Sequence, residues 1–396
     1  MTDIQTLDSQ YVAHTYARAP VAFVRGEGCH LYDETGKPYI DMGSGIAVSA
    51  LGYGDEGWVA AVSAQAGQLA HASNLYHTAP QALLAQRLCE RTGLKRVFFG
   101  NSGAEANECA IKAARRYSAL EHGENVRPVI LTLENSFHGR TLATLAATGQ
   151  DVFHHDFGPF PEGFRHIPAN DVAALKTALD VGDVCALLIE TIQGEGGVCC
   201  LTEEYIQAAR ELTEARDILL MVDEVQTGNG RTGKLYSYQH FGILPDVVST
   251  AKGLAGGLPM GACLLGEKTA DVLTPGTHGS TFGGNPVACA GALSVLEQID
   301  DAFLEAVKQK GAWLTAELEK IPGVKDVSGL GLMLGFSVEG CKSADIKAKA
   351  LDNGLVVLTA KDRVRLLPPL AITEEELSDG LLRLAAAIRE VQEAAH

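Results

Sequence analysis

Short apolar runs alternate with helix-length segments through the middle of the chain, and this alternation limits the fold more than any other feature. One of the intervening segments, "TEEYIQAARELTEAR" (202–216), has the pattern of an amphipathic crossover helix. Continuous apolar strands separated by helices are typical of a mostly parallel sheet with helices on both faces. The runs are "RVFFG" (96–100), "PVILTLE" (128–134), "VCALLIE" (184–190), "ILLMVDE" (218–224), "DVVST" (246–250) and "GACLLG" (261–266).

The two ends of the chain have a different pattern. Residues 21–41 are typical of a hairpin-like pair of strands that turns at residues 34–37. After Pro286 come a long helical stretch, short strand candidates at 327–340, 355–358 and 363–367, and a final helix from about residue 373. We therefore predict an α/β fold with two domains. Residues 55–285 form the large α/β domain, and residues 1–54 and 286–396 together form a smaller α+β domain.

Charge and cysteine content exclude several classes of protein. With 32 basic and 49 acidic residues the net charge is −17, so no basic surface is available for nucleic acid. The nine cysteines are scattered and include no C-x-x-C pair, which predicts a reducing compartment and no metal site. The N-terminus lacks a basic segment followed by an apolar one, and no apolar run approaches the roughly 18 residues of a membrane span. These features predict a cytoplasmic protein that binds neither membrane nor nucleic acid.

Three segments could carry chemistry, and the first is "FFGNSGAEANE" (98–108). A strand ends at Gly100 and a helix begins near Ser102, where Ser102 and Glu105 fit a capping box. The same junction could bind an anion, because the first N–H groups of a helix and its dipole favour negative charge. Both interpretations remain open for this segment alone.

The second segment is "LLMVDEVQTGNGRTG" (219–233). Its apolar strand ends in Asp223 at the edge where open α/β sheets bind ligands. Asp223 could bind a cationic group there or could simply cap the following loop. The neighbouring acid, Glu224, fits a solvated position equally well.

The third segment is "STAKGLAGGLPMGA" (249–262), in which Lys252 follows an apolar strand. A desolvated lysine has a lowered pKa and is the residue type that forms Schiff bases. Alternatively, Lys252 extends to solvent or binds a phosphate. Together, a helix N-terminus, a strand-end carboxylate and a loop lysine are what pyridoxal phosphate requires: an anion site, a partner for its pyridinium and an amine for its aldehyde.

Eight motifs in order identify a family resemblance. The chain resembles the class III (subgroup II) aminotransferases of the fold-type I pyridoxal-phosphate superfamily, and most closely the acetylornithine aminotransferases. The resemblance implies a large domain with a mostly parallel mixed sheet between helices and a smaller domain from both termini. The motifs are "GCHLYDETGKPYIDMGSGIAV", "FFGNSGAEANECAIK", "ENSFHGRTLATLAATG", "IQGEGG", "VDEVQTGNGRTG", "STAKGLAGGLPMGA", "HGSTFGGNPVACA" and "VRLLPPL".

The resemblance also assigns roles to individual residues around the cofactor. Lys252 is expected to hold its aldehyde and Asp223 its pyridine nitrogen. Gln226 is expected at the phenolic oxygen and Phe137 against the ring face. Ser102, Gly103 and Ala104 are expected to bind the phosphate, and Thr281 the phosphate in the other subunit of a homodimer.

For the substrates, the resemblance implies two arginine sites. Arg140 is expected to bind a substrate carboxylate with Ser280 nearby. Arg365 is expected to bind the carboxylate of glutamate or 2-oxoglutarate, and Glu195 to gate Arg365 by pairing with it.

The residue at position 46 narrows the choice of amine donor. Ornithine aminotransferases usually place a tyrosine where this chain has Ile46, and an apolar residue suits an acylated amino group or a substrate without one. The sequence therefore predicts N²-acetylornithine:2-oxoglutarate 5-aminotransferase activity in arginine biosynthesis. Succinylornithine, 4-aminobutyrate, ornithine and succinyl-diaminopimelate aminotransferases are the alternatives within the class. A racemase or decarboxylase of the same fold is disfavoured by the two arginines. A binding module is disfavoured because Lys252 and Asp223 are both present.

Overall fold

The computed structural model describes residues 4–394. Its helices are α1 (Ile4–Tyr11), α2 (Ser44–Ala47), α3 (Glu56–Gln68), α4 (Ala79–Thr92), α5 (Gly103–His122), α6 (Leu142–Ala147), α7 (Val172–Leu179), α8 (Glu203–Glu214), α9 (Pro286–Gln298), α10 (Asp301–Leu318), α11 (Ser343–Asp352) and α12 (Glu374–Ala394). Its strands are β1 (Phe23–Glu27), β2 (His30–Asp33), β3 (Pro38–Asp41), β4 (Arg96–Gly100), β5 (Val129–Leu133), β6 (Phe164–Ile167), β7 (Val184–Ile189), β8 (Ile192–Gln193), β9 (Cys199–Cys200), β10 (Leu219–Asp223), β11 (Val247–Thr250), β12 (Gly261–Leu265), β13 (Val324–Leu330), β14 (Met333–Val338), β15 (Leu355–Val356), β16 (Leu358–Ala360) and β17 (Arg363–Leu366).

The central sheet has seven strands in the order β4-β12-β11-β10-β7-β5-β6. All neighbours are parallel except β12, which runs antiparallel to both β11 and β4. The predicted mostly parallel sheet is therefore confirmed, with one antiparallel strand near its edge. The sheet includes β6, which the apolar runs did not predict. Only Ile167 of β6 is fully buried, so this strand lacks the continuous apolar signal of its neighbours.

Both faces of the central sheet are covered. Along β10, Leu219 and Met221 pack in the cluster that contains the apolar side of α5, whereas Leu220 and Val222 pack in the main core on the other face. All five residues of β10 are buried. Burial on both faces explains why the sequence of such a strand is apolar without alternation. The carboxyl end of β10 consequently places Asp223 at the sheet edge.

Strands from both termini meet outside the central sheet. The predicted turn at residues 34–37 joins β2 to β3, and β1 extends this hairpin into a meander. The C-terminal β15 then pairs in parallel with β3, with Leu355 opposite Ile40. A further sheet has the order β13-β14-β17-β16. The domain boundaries at residues 55 and 285 stay a prediction, and the outermost residues of that division, 1–3 and 395–396, lie outside the described part.

Neither a membrane span nor a metal cluster occurs among the described residues. No helix within residues 4–394 is long and apolar enough to cross a membrane. The same residues contain no group of three or more His, Cys, Asp or Glu side chains placed to hold a metal ion.

Candidate active site

A cavity of about 530 Å³ opens at the carboxyl edge of the central sheet. We call it the Lys252 cavity. The loops after β4, β5, β10 and β11 supply most of its wall, which is where open α/β sheets bind ligands. The predicted site residues that line it are Ser102, Gly103, Ala104, Phe137, Arg140, Asp223, Gln226 and Lys252.

Asp223 is a buried carboxylate held by three donors. Its Oδ2 accepts from His138 Nδ1 and from Asn107 Nδ2, each at 2.8 Å, and its Oδ1 accepts from the backbone N–H of Val225 at 2.9 Å. The carboxylate therefore caps the loop, as one interpretation of the sequence has it, and it also lines the cavity, where binding of a cationic group stays a prediction. The three hydrogen bonds fix the orientation of the carboxylate at the cavity wall.

Lys252 lies directly after β11 in a strained backbone conformation. Its φ is +48°, in the left-handed region that side chains other than glycine rarely adopt. The ammonium forms no hydrogen bond or ion pair with residues 4–394, and it faces the cavity. Burial lowers the pKa of Lys252 to about 8, although the charge of Glu195 offsets part of this effect. A lysine with this pKa is partly a neutral amine at physiological pH.

The start of α5 forms the second wall of the cavity. Ser102 Oγ caps the helix by accepting from the N–H of Glu105 at 3.2 Å, and Glu105 Oε2 accepts from the N–H of Asn101 at 2.8 Å. Ser102 is thus the N-cap that the sequence predicted, but the reciprocal bond of a capping box is not formed, because Glu105 accepts from the N–H of Asn101 and not from that of Ser102. A Cβ at Gly103 would lie 2.7 Å from Val225 Cγ1, so glycine lets the helix start approach the loop that follows Asp223.

Phe137 and Arg140 line the cavity on the segment that follows β5, next to the start of α5. The Phe137 N–H donates to Glu190 Oε2 at 2.9 Å, which fixes the backbone that carries the ring. The Arg140 guanidinium lies 4.2 Å from the centre of the Phe153 ring and 5.5 Å from that of Phe137. Arg140 is exposed and has no carboxylate partner among the described residues. Its charge is therefore available to an anion in the cavity.

Arg365 and Glu195 form an ion pair next to the cavity. Arg365 Nη1 donates to Glu195 Oε1 at 2.6 Å and to Gln226 Oε1 at 2.9 Å, and Arg365 Nη2 donates to Glu195 Oε2 at 3.3 Å. Only 3% of the Arg365 side chain is exposed, against 26% of Glu195. Burial is the largest single influence on Glu195 and raises its pKa. The charge and hydrogen bond of Arg365, together with Lys252 and Gln226, outweigh burial and hold the pKa below its ordinary value. Gln226 lies in the cavity wall and contacts both partners.

Besides Glu195 and Arg365, two further predicted residues, Ser280 and Thr281, lie outside the wall of the Lys252 cavity. Ser280 Oγ accepts from Asn101 Nδ2 at 3.2 Å and from the N–H of Gly283 at 3.0 Å, so it lies behind the start of α5 and does not join Arg140 in the cavity wall. Thr281 is exposed on the same loop. A role for Thr281 in another subunit remains a prediction.

The structure adds residues that the sequence did not single out. Tyr16 lines the cavity although its surroundings in sequence carry no motif. Glu190 directly follows β7, much as Asp223 ends β10. The pattern that singled out Asp223, an acid after an apolar run, could therefore have identified Glu190 as well. Burial, reinforced by the charge of Asp223, raises the pKa of Glu190 well above its ordinary value. His138 follows Phe137 directly, but its contact with Asp223 spans 85 residues and has no local signal.

Glu224 is not a solvated neighbour of Asp223. It is fully buried and accepts from Ser237 Oγ at 2.6 Å, from Thr227 Oγ1 at 2.5 Å and from the N–H of Tyr238 at 2.9 Å. These hydrogen bonds hold the loop that follows β10, so Glu224 stabilises the loop and does not line the cavity as Asp223 does. The solvated interpretation was wrong because the loop folds back over the strand end.

Solved structures share this architecture over nearly the whole chain. An ornithine aminotransferase from Toxoplasma gondii, described with partial occupancy of PLP at its active site, superposes with a TM-score of 0.94 and 34% identity and covers 99% of this chain and 95% of its own. An N-acetylornithine aminotransferase from Stenotrophomonas maltophilia gives a TM-score of 0.85 and 36% identity, with 98% and 99% covered. The fold is thus that of the pyridoxal-phosphate-dependent aminotransferases.

Sequence comparison defines the family more narrowly. The family model described as aminotransferase class-III matches residues 11–388. The acetylornithine aminotransferase of Haemophilus ducreyi is 51% identical over 389 residues, which cover 98% of this chain and 99% of the relative. That of Caldanaerobacter subterraneus is 45% identical over 393 residues, with 98% and 99% covered. The chain belongs to the class-III aminotransferases and is a pyridoxal-phosphate-dependent transaminase.

Proposed function

We propose that the protein is an N²-acetylornithine:2-oxoglutarate 5-aminotransferase of arginine biosynthesis. It transfers the δ-amino group of acetylornithine to 2-oxoglutarate, giving N-acetylglutamate 5-semialdehyde and glutamate. The observation that carries the proposal is the ion pair between Arg365 and Glu195 beside a cavity that also holds the unpaired Arg140. Relatives that bear the name acetylornithine aminotransferase support the donor, at 45–51% identity over nearly their full length.

The residues of the Lys252 cavity fit pyridoxal phosphate. The start of α5 offers backbone N–H groups to a phosphate, Asp223 offers a fixed negative charge to a pyridinium, and Lys252 offers an amine to an aldehyde. His138 Nε2 and Asn107 Oδ1 are buried without a hydrogen-bond partner in residues 4–394. Unpartnered polar atoms beside Asp223 suit a site that is completed by a polar ligand.

Each of these residues has a separate task in the proposed reaction. Bound pyridoxal phosphate supplies a ring that accepts electrons from the substrate carbon. Asp223 would hold the pyridinium of that group, and the donors His138 and Asn107 orient the Asp223 carboxylate. Lys252, with its pKa near 8, takes a proton from the substrate carbon and returns it as a general base and acid. Phe137 excludes water from one wall.

The arginines let one cavity accept two differently charged substrates. Acetylornithine has one carboxylate, remote from its δ-amine, and Arg140 binds it. Glu195 meanwhile neutralises Arg365, which would otherwise be a buried charge without a partner. When 2-oxoglutarate enters, its carboxylate beside the keto carbon displaces Glu195 and binds Arg365 through two hydrogen bonds, while its distal carboxylate binds Arg140.

We further propose that the enzyme works as a homodimer in the cytoplasm. The exposed position of Thr281, outside the wall of its own cavity, supports a contact with the phosphate bound by a second subunit. The proposed partners are the small-molecule substrates and a second copy of the chain. The proposed reaction requires no nucleic acid, membrane or metal.

Comparison of amine donors tests the function directly. We expect kcat/KM, with 2-oxoglutarate as acceptor, to be highest for acetylornithine among acetylornithine, succinylornithine, ornithine and 4-aminobutyrate. A free α-amino group near Ile46 finds no hydrogen-bond partner in that side chain, so ornithine should be a poor donor. A preference for ornithine or 4-aminobutyrate would refute the assigned donor but not the transaminase chemistry.

A further inference from the structure

A second large cavity lies along the later turns of α5 and has no place in the transamination reaction. Its volume is about 760 Å³, within the range of small-molecule sites. We call it the basic cavity because its wall contains Lys112, Arg115 and Arg116 of α5 together with Arg127. The opposite wall comes from residues 162–163 and from the segment around Leu273 and Thr277.

Helical spacing brings the three α5 cations to one face. Arg115 and Arg116 come three and four residues after Lys112, so both side chains are neighbours of Lys112 on the helix surface. Like charges at this spacing destabilise a helix unless something compensates them. Cations are favourable in the last turn of a helix, but α5 continues to His122, so the dipole compensates these three residues only weakly.

None of the four cations forms an ion pair with a carboxylate of residues 4–394, although the protein carries a net charge of −17. They bind backbone oxygens instead. Lys112 Nζ donates to Thr277 O at 2.7 Å, Arg115 Nη2 to Glu162 O at 2.6 Å, Arg116 Nε to Val272 O at 2.6 Å and Arg127 Nη1 to Arg216 O at 3.0 Å. Such bonds position the side chains and leave their charge uncompensated.

Arg115 forms fewer hydrogen bonds than two structural arginines of the same molecule. Arg231 donates to two backbone oxygens and a hydroxyl, and Arg363 donates to three backbone oxygens and a hydroxyl. Arg115, by contrast, has one such bond for its five N–H groups, and its Nε is buried without a partner in the described chain. Free guanidinium donors beside a cavity are what Arg140 also presents to the substrate site.

The local backbone is shaped around the Arg115 guanidinium. Gly163 has φ +88°, and a Cβ there would lie 2.8 Å from Arg115 Nη2. The guanidinium carbon also lies 5.0 Å from the centre of the Phe164 ring. Glycine and the aromatic ring therefore hold the charged group in one place. A preorganised guanidinium loses little entropy when it binds an oxyanion.

We propose that the basic cavity binds a small multivalent oxyanion, either a polyphosphate or a tricarboxylate. Guanidinium groups match the planar pairs of oxygens in both chemistries. Glu124 and Glu162 also line the cavity, so four positive charges face two negative ones, and a ligand with two or more negative charges balances the difference. The site is separate from the Lys252 cavity, because Arg115 lies about 18 Å along the helix from Gly103 at 1.5 Å per residue.

Isothermal titration calorimetry of the holoenzyme at fixed ionic strength tests the proposal with pyrophosphate, ATP and citrate as probes. We expect saturable binding of at least one probe with one site per chain. Arg115→Gln and Arg127→Gln should each weaken that binding about tenfold or more, the scale of hydrogen bonds to charged groups. Neither change should alter transamination. Binding of pyrophosphate alone identifies a phosphate site, and binding of citrate alone identifies a carboxylate site.

Two control variants show whether the binding depends on the basic cavity itself. Arg87→Gln removes the same charge from an exposed helix position outside the cavity and should leave binding unchanged. Arg140→Gln should also leave it unchanged, because Arg140 belongs to the Lys252 cavity. Three results would each overturn the proposal: no saturable binding of any probe, equal weakening by Arg87→Gln, or loss of binding in Arg140→Gln. Arg115→Gln loses the packing of the guanidinium on Phe164. If this variant does not fold, Arg127→Gln alone tests the proposal.

Discussion

Asp223 and Lys252 both line the Lys252 cavity, but their hydrogen-bonding surroundings differ. Asp223 is buried and accepts three hydrogen bonds, which fix the orientation of its carboxylate. Lys252 receives no partner from residues 4–394, and burial lowers its pKa to about 8. A fixed charge suits a residue that must hold one protonation state through a reaction. A lowered pKa suits a residue that must change its state.

Lys252 should therefore capture the cofactor as a neutral amine. We expect the rate of covalent attachment of pyridoxal phosphate to the apoprotein to rise with pH up to about 8 and then level off. Borohydride reduction followed by peptide mass spectrometry should find the adduct on Lys252. Lys252→Ala should lose the adduct and nearly all turnover, and an adduct on another lysine would contradict the assignment.

The same pKa predicts how Lys252 affects the stability of the apoprotein. The folded state binds fewer protons than the unfolded state between pH about 8 and the unfolded value near 10.4, so this group's contribution to the free energy of unfolding rises with pH through that window. Below pH 8, burial of the Lys252 ammonium lowers the free energy of unfolding by its full amount. Lys252→Met should stabilise the apoprotein at pH 7 by roughly 1–3 kcal/mol and flatten this pH dependence in denaturant titrations.

Asp223→Asn should separate the charge of Asp223 from its shape. The amide keeps the size of the side chain but cannot hold a proton on a pyridine nitrogen, so we expect kcat to fall at least roughly a hundredfold while cofactor affinity changes much less. Glu224→Gln is the matched control, because it is the adjacent buried acid and its partners lie outside the cavity. Near wild-type kcat in Asp223→Asn would show that the carboxylate is only a loop cap.

At the scale of elements, a short hairpin and a strand from another sheet bring together Glu195 and Arg365, the ion pair of the proposed substrate switch. Glu195 lies between β8 and β9, whereas Arg365 lies in β17, paired with β14 opposite Gly335. A Cβ at Gly335 would lie 2.7 Å from Val198 Cβ, so glycine there lets the hairpin pack closely on the sheet. Close packing of these two elements is what brings the carboxylate to the guanidinium.

Arg365→Ala should damage one half-reaction and spare the other. We expect the 2-oxoglutarate half to lose roughly 2–5 kcal/mol of transition-state stabilisation, the usual cost of truncating one partner of a buried charge pair. The acetylornithine half does not use Arg365 and should be nearly unchanged. Arg140→Ala should damage both halves, and Glu195→Ala should raise activity toward glutamate-like donors. Single-turnover kinetics measure each half, and equal losses for Arg365→Ala would refute the switch.

Elements were predictable from sequence where burial was continuous. The apolar runs at β4, β5, β7, β10, β11 and β12 found their strands because both faces of each are covered, and the helix start at Ser102 followed from its capping residues. β6 was less visible because its partial burial leaves no continuous apolar run. Glu190 and Asp223 follow equally apolar strands, and the donors that distinguish them come from residues far away in sequence, such as His138.

At the scale of the whole molecule, the loop that carries Thr281 lies in an apolar surface. Asn74 Nδ2 donates to Ser280 O and Gly283 O, both at 2.9 Å, so residues 73–76 lie against this loop. Leu75, Tyr76 and Phe282 are 85%, 69% and 61% exposed. Large apolar side chains exposed together are typical of an interface between proteins. This surface supports the proposed homodimer.

We expect the enzyme to sediment as a dimer at all working concentrations. Thr281→Ala should weaken cofactor binding by roughly 0.5–1.5 kcal/mol, the net value of a typical hydrogen bond, or somewhat more because a phosphate is charged. Thr177→Ala, on the exposed side of α7, is a matched control and should have no effect. An active monomer in sedimentation velocity would contradict the shared site.

The pairing of β3 with β15 sets an order of events during synthesis. The ribosome completes residues 38–41 long before residues 355–356, and at about 5–20 residues per second the interval is roughly 15–60 s. Throughout that time one edge of the nascent meander has free N–H and C=O groups, which can pair with another chain. Association between nascent chains on one messenger, or protection of this edge by a chaperone, should therefore affect the yield of folded enzyme.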